Sequence, residues 1–238
     1  MESKGLNQLA SWIKESKYTV VLTGAGMSTE SGIPDFRSPT GWWRNIDPKE
    51  VASKFALDNQ YELFREFYIM RINRLKNCKP NIGHIILADW EKRGLMNLIA
   101  TQNVDRFHQE AGSNNVYELH GNIRTIRCEE CGVGAELEEF LDKKACGKCS
   151  GRLRPNVVLF GESLPYDVFN NTVNAISKAR LVIVIGTSLQ VYPVNQLPEL
   201  CKGKKVYINM DMGGKCEQFD LAIEGSAGEI LYKVNMLL

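Results

Sequence analysis

The placing of four cysteines constrains this chain most: Cys128-x-x-Cys131, then fourteen residues, then Cys146-x-x-Cys149. Two tight turns each present a pair of sulfurs, and the two pairs can meet on one tetrahedral zinc ion. Glu129-Glu130 and Gly147-Lys148 fill the turns, and Gly132 and Ser150-Gly151 follow them. Four thiolates complete the tetrahedron and leave no position for water, so the spacing predicts a structural ion, one per chain. The alternative for this spacing is two redox-active CxxC pairs. From Gly121 to Pro155 there are seven basic and six acidic residues, and 7 − 6 = +1 gives no footprint for phosphate binding.

Around this insert the chain alternates. Tyr18–Thr23, Leu98–Thr101, Leu181–Ile185 and Lys205–Asn209 read as short buried strands. Helical patterns at Leu6–Ile13, Ile82–Arg93, Val168–Lys178 and Ala227–Met236 separate them. Strands alternating with helices predict an α/β fold, a Rossmann-like parallel sheet with helices on both faces. Two segments interrupt the alternation: 34–79, expected to be mostly helical, and 124–154, which holds the cysteines. Both are expected to form a small zinc-binding second domain, leaving 1–33, 80–123 and 155–238 as the sheet domain. The net charge is +1, from 29 basic and 28 acidic residues, so no strong field draws the chain to nucleic acid or membranes. The N-terminal stretch lacks an apolar leader core, and the seven cysteines are odd in number, which favours a reducing cytoplasm over secretion. Cys78, Cys201 and Cys216 read as ordinary thiols.

Gly24-Ala25-Gly26 follows the first strand and opens a helical turn. Glycines there let backbone N–H groups approach a pyrophosphate at a positive helix end. The third position of the dinucleotide fingerprint is Thr29 rather than glycine, which disfavours an ordinary dehydrogenase. The longer stretch Gly24-Ala-Gly-Met-Ser-Thr-Glu-Ser-Gly-Ile-Pro-Asp-Phe-Arg37 resembles the signature of the sirtuin family. So do Thr101-Gln102-Asn103-Val104-Asp105, Leu119-His120-Gly121, Phe160-Gly161-Glu162 and Gly186-Thr187-Ser188, in order over nearly the whole chain.

The resemblance implies an enzyme that removes acyl groups from protein lysine with consumption of NAD, in a cleft between the two domains. It implies nicotinamide, O-acyl-ADP-ribose and free lysine as products. Phe36, Val104 and Asp105 match a nicotinamide pocket, Asn103 a position orienting ribose and water, and Arg37 a phosphate neighbour. Thr29, Gln102, Gly186, Thr187 and Ser188 match further NAD contacts, and Asn209 and Ala227 the adenosine side. His120 matches the general base, a role suited to imidazole near neutral pH. His84 and His108 read as helix packing. The segments 158–163 (Val158, Phe160, Gly161, Glu162) and 189–193 (Val191) match two extended runs that sandwich an acyl-lysine peptide.

Tyr68 and Arg71, three apart on a helical face, resemble the pair of sirtuins that accept succinyl, malonyl or glutaryl lysine, and Ala52 matches the small residue of that class. Asp35 looks more like the general deacetylase pattern, so deacetylation is expected as well. Protein mono-ADP-ribosylation and a non-catalytic NAD-binding scaffold are the alternative functions. A monomer is expected.

Overall fold

The computed structural model describes residues 2–36, 41, 46–214 and 216–238. Six strands form a parallel sheet: β1 (Thr19–Thr23), β2 (Leu98–Thr101), β3 (Val116–Glu118), β7 (Leu181–Ile185), β8 (Lys204–Asn209) and β9 (Leu221–Glu224). Their order is β3-β2-β1-β7-β8-β9. β1, β2 and β7 are buried at every residue, which is why each reads as an unbroken apolar run rather than an alternation. Helices cover both faces. On one, α1 (Glu2–Glu15), α5 (Ile82–Lys92) and α9 (Ala227–Asn235) pack Leu9, Ile13, Leu87, Trp90 and Leu231 against Val21, Ile99 and Ile183. On the other, α8 (Tyr166–Lys178) packs Ile176 against Val20, Val182 and Val184.

The four expected strands are present. The edge strands β3 and β9 carry too few buried residues for the sequence to separate them from loop. The expected turn into a helix after Gly24 is a 3-10 helix, Ala25–Ser31, closed by Gly32 at φ 86°.

A second core lies beside the sheet. The helices α2 (Pro48–Val51), α3 (Lys54–Asn59), α4 (Tyr61–Leu75), α6 (Phe107–Glu110) and α7 (Leu137–Leu141) surround a three-stranded antiparallel sheet, β5-β4-β6, of Gly134–Ala135, Gly121–Cys128 and Leu153–Val157. Phe64, Phe67, Tyr68, Ile126, Phe140 and Leu153 fill this core together with Cys128 and Cys146. Ser53 starts α3 by accepting the Ala56 N–H on its hydroxyl, and Asn81 starts α5 in a reciprocal capping box with His84.

Candidate active site and metal centre

The order of the large sheet reverses beside β1, whose neighbours β2 and β7 lie far from each other in sequence. Open α/β sheets bind ligands at such a point, beyond the carboxyl ends of the strands. Here the turns after β1 and β7 touch. Gly24 N donates to Ile185 O at 3.0 Å, and Gly26 N to Gly186 O at 2.8 Å. A Cβ on Gly24 would lie 2.5 Å from Thr187 Cβ, and one on Gly26 2.8 Å from Gly186 Cα. Gly186 itself has φ 62°. Glycine is required at these positions because two backbones pass within contact of each other.

A cavity of about 790 Å³ opens above these turns. The sheet side of its wall is Gly24, Ala25, Gly26, Gln102, Asn103, Gly186, Thr187, Ser188 and Asn209. The opposite wall carries Phe36, Ala52, Tyr68, Arg71, Val158, Phe160, Gly161 and Glu162, with Val191 at the side. Val104, Asp105 and His120 join the two. Two expected contacts, among the described residues, are not in this wall. Thr29 turns its hydroxyl back to Gly26 O at 3.0 Å, and Ala227 is buried in the first turn of α9. Arg37 lies outside the described residues.

Asp105 is buried, and each of its carboxylate oxygens accepts one hydrogen bond. Its Oδ1 accepts Phe107 N at 2.9 Å and its Oδ2 accepts Ser28 Oγ at 2.7 Å. Burial raises its carboxyl above the ordinary value, although both hydrogen bonds act to lower it. Asn103 Nδ2 donates to the same Ser28 Oγ at 3.1 Å, so one hydroxyl aligns both side chains. Ser28 lines the cavity and was not among the expected site residues, although it stands inside the Gly24–Arg37 stretch. Gln102 Nε2 donates to Thr187 Oγ1 at 2.9 Å, tying the end of β2 to the turn after β7.

His120 follows β3 and is half-buried. Its Nδ1 lies 3.1 Å from Gln102 O. A carbonyl can only accept, so Nδ1 carries the proton and the Nε2 lone pair is left available as a base. Burial lowers the imidazole below the ordinary 6.5, against the opposing effect of the Gln102 carbonyl. His84 is buried on α5, with Nδ1 accepting Asn81 N at 3.2 Å, and burial lowers it to about 3. His108 is buried too, with Nε2 3.0 Å from Thr23 Oγ1. Neither lines the cavity.

Of the two expected extended runs, 158–163 is anchored by Val158 N to His120 O at 2.9 Å and by a single bridge, Phe160 to Ser53. Residues 189–193 do not form a strand. Leu189 has φ 48°, because its N–H turns back to Thr187 Oγ1 at 3.2 Å.

The four cysteines converge below β4 and β6. Their sulfurs all lie within 4.8 Å of one another, with Cys128–Cys149 at 3.5 Å and Cys131–Cys146 at 3.7 Å. A zinc tetrathiolate with bonds of about 2.3 Å needs sulfurs about 3.8 Å apart. The first knuckle is closed by Cys128 N to Val133 O at 2.8 Å and Gly132 N to Cys128 O at 3.1 Å. Cys146 N to Gly151 O at 2.9 Å and Ser150 N to Cys146 O at 2.8 Å close the second. The donor set therefore fits a structural zinc ion. None of the four cysteines lines the cavity.

The Sir2 family profile matches residues 24–193. The chain belongs to the Sir2 family. It is 48% identical over 232 residues to NAD-dependent protein deacetylase 1 of Geobacillus kaustophilus (strain HTA426), covering 95% of this chain and 96% of that protein. A solved Sir2 homolog–NAD complex superposes with a TM-score of 0.90 at 39% identity, covering 97% of this chain and 93% of the other. A Sir2 variant with a deacetylated p53 peptide and 3'-O-acetyl ADP ribose superposes with a TM-score of 0.89 at 35% identity, covering 98% and 97%. This Sir2 chain thus combines a parallel sheet flanked by helices with a four-cysteine cluster that fits zinc. Among the described residues no helix is long and apolar enough to cross a membrane.

Proposed function

We propose that this Sir2 protein removes acyl groups from protein lysine with consumption of NAD. The observation that carries the reading is His120, set in the same cavity as the Gly24 and Gly186 turns with its proton fixed on the far nitrogen. NAD supplies the ribose carbon from which nicotinamide departs and the ADP-ribose that takes up the acyl group. The sheet domain (1–33, 80–123 and 155–238) presents the glycine turns to its phosphates. The domain formed by 34–79 and 124–154 supplies the acyl side of the cleft. Phe36, Val104 and Asp105 surround the nicotinamide, with a carboxylate oxygen of Asp105 accepting from its carboxamide. Asn103, held by Ser28, orients the ribose. An amide oxygen is a weak nucleophile, so positioning of the acyl-lysine against the ribose carries much of the barrier. His120 Nε2 then accepts the proton of a ribose hydroxyl, freeing that oxygen to attack the acyl carbon. Product analysis tests this reading: acyl-lysine peptide, NAD and protein should yield nicotinamide, free lysine and O-acyl-ADP-ribose by mass. ADP-ribose attached to protein instead would favour the transferase alternative, and no peptide-dependent release would favour the scaffold.

Burial of His120 sets the acid limb of the rate. A lowered imidazole pKa keeps the base neutral, hence competent, at pH values where an ordinary histidine is half protonated. The limb of kcat/KM on the acid side should therefore fall below pH 6.5, the ordinary histidine value. A limb above that value would contradict the assignment.

We take acidic acyl chains as accepted beside acetyl. Arg71 stacks its guanidinium 5.4 Å from the Phe36 ring centroid, 5.6 Å from Phe67 and 5.7 Å from Tyr68, with Ala52 leaving space nearby. Burial lowers Arg71 and raises Tyr68 to about 12, so the phenol stays neutral and able to donate a hydrogen bond. Arg71→Met should cut turnover of succinyl-lysine peptide by about tenfold or more, the worth of a charge-assisted hydrogen bond. Acetyl-lysine turnover should fall much less, and equal losses would refute the acidic preference. A cytoplasmic monomer accompanies this reading, and the near-neutral charge supports the lack of nucleic-acid partners.

A further inference from the structure

Arg154, on β6, is a charged side chain with no exposed surface. A buried guanidinium is tolerable only where its N–H groups find acceptors and its charge finds anions. Arg154 finds both. Nη1 donates to Glu162 Oε1 at 2.6 Å and to Glu129 Oε2 at 3.2 Å. Nη2 donates to Glu162 Oε2 at 2.9 Å and to Val157 O at 2.6 Å, and Nε to Pro155 O at 3.3 Å.

The two carboxylates come from different places. Glu129 stands in the Cys128–Cys131 turn, while Glu162 ends the run that begins at Val158. Glu162 Oε2 also accepts Leu159 N at 2.9 Å. Glu129 also accepts Lys54 Nζ at 3.0 Å, and the backbone N–H of Lys54 donates to Phe160 O at 3.0 Å. The contacts close a ring: Arg154, Glu162, Leu159–Phe160, Lys54, Glu129 and Arg154 again. Apart from this ring, the run is held by Val158 N on His120 O and by Phe160 N on Ala52 O. That is one β-bridge rather than a sheet.

We propose that Arg154 is a positioning residue for the acyl-lysine substrate: by gripping Glu162 against Glu129 it fixes the backbone of 158–162 to which the peptide pairs. The inference rests on reading that run as the peptide strand. Arg154 acts without touching the cavity. Burial is the largest single influence and raises the Glu162 carboxyl, but the hydrogen bonds from Arg154 and Leu159 N together with the charges of Arg154 and Arg127 hold it below the ordinary value, as an anion. Around Glu162 and Glu129 stand three cations, Arg154, Lys54 and Arg127, and Lys54 is shared with a third carboxylate, Asp58.

Arg154→Lys is the decisive variant, because it keeps the buried charge and removes the two-pronged grip. Arg154→Met is the stronger change and can unfold the module. Two readouts are combined on the purified full chain: steady-state kinetics with an acetyl-lysine peptide and NAD, and hydrogen exchange of the amides at 158–162. Arg154→Lys should raise the KM for peptide by about tenfold or more, the scale of a small misplacement transmitted from outside the chemistry. The KM for NAD should stay nearly unchanged, and exchange at 158–162 should quicken and slow again when peptide is added. An unchanged peptide KM, whatever the exchange, would overturn the proposal, as would a KM for NAD that rises in step with it. The underlying reading fails separately. In that case peptide added to the wild-type protein would leave exchange at 158–162 unaltered.

Discussion

His120→Ala should lower deacylation by at least about a hundredfold, the usual worth of a positioned general base. The fold should survive, because the backbone of this residue does the structural work. His120 O accepts Val158 N at 2.9 Å, and Gly121 behind it has φ 68°. The side chain adds one hydrogen bond, Nδ1 to Gln102 O, worth about 1 kcal/mol to stability. The base acts on a ribose hydroxyl after nicotinamide has left, so the two halves of the reaction should separate. Exchange of labelled nicotinamide into NAD, with acyl peptide present, should persist in the variant to a far greater degree than release of free lysine. Full deacylation by the variant would end the assignment of His120. Equal collapse of exchange and deacylation would move its role to the first step.

Much of this site can be read along the chain because its parts are contiguous. Gly24 to Phe36, Gln102 to Asp105 and Gly186 to Ser188 each follow a buried apolar strand, and a strand end is where an open α/β sheet exposes its loops. The reasons for the glycines are less legible. Gly26 and Gly186 are small because they meet each other, and no local pattern reports a contact between such distant residues. Ser28 illustrates the same limit, since a serine in a helical turn carries no sign that it will bridge Asp105 and Asn103. Matching residues to a family pattern also reaches beyond the cavity wall. Thr29 follows the wall residue Ser28 but turns its hydroxyl to its own backbone, and Ala227 is packed inward in the first turn of α9. Arg154 reads as one more basic residue of the cysteine insert, although its full burial makes it the hinge of an ion cluster. The edge strands β3 and β9 were hidden by their partial exposure, while β1 and β7 announce themselves through complete burial.

Cys146→Ser should release the metal and with it the order of the second core. The wild-type protein should bind about one zinc per chain, as four thiolates require. Structural zinc is worth roughly 10–16 kcal/mol in small modules at neutral pH, comparable with the whole stability of about 5–15 kcal/mol of an ordinary domain. The strands of this region are slight by comparison. β5 is two residues long, and β4 and β6 meet with an irregular register between Gly121 and Ile126. The loss should appear as a melting temperature lower by about 10 °C or more, given about 2–4 °C per kcal/mol for a chain of this size. Cys146 and Cys128 are buried among Ile126, Phe140 and Leu153, so loosening here reaches the core that carries Tyr68. Peptide-dependent turnover should therefore vanish while ADP-ribose still binds at the glycine turns, which lie on the large sheet. Cys216→Ser, at an exposed thiol outside the cluster, should change neither zinc content nor melting. Stoichiometric zinc in Cys146→Ser would refute the tetrathiolate. Metal-free wild-type protein with two reversible disulfides and undiminished stability would instead restore the redox reading of the two CxxC pairs.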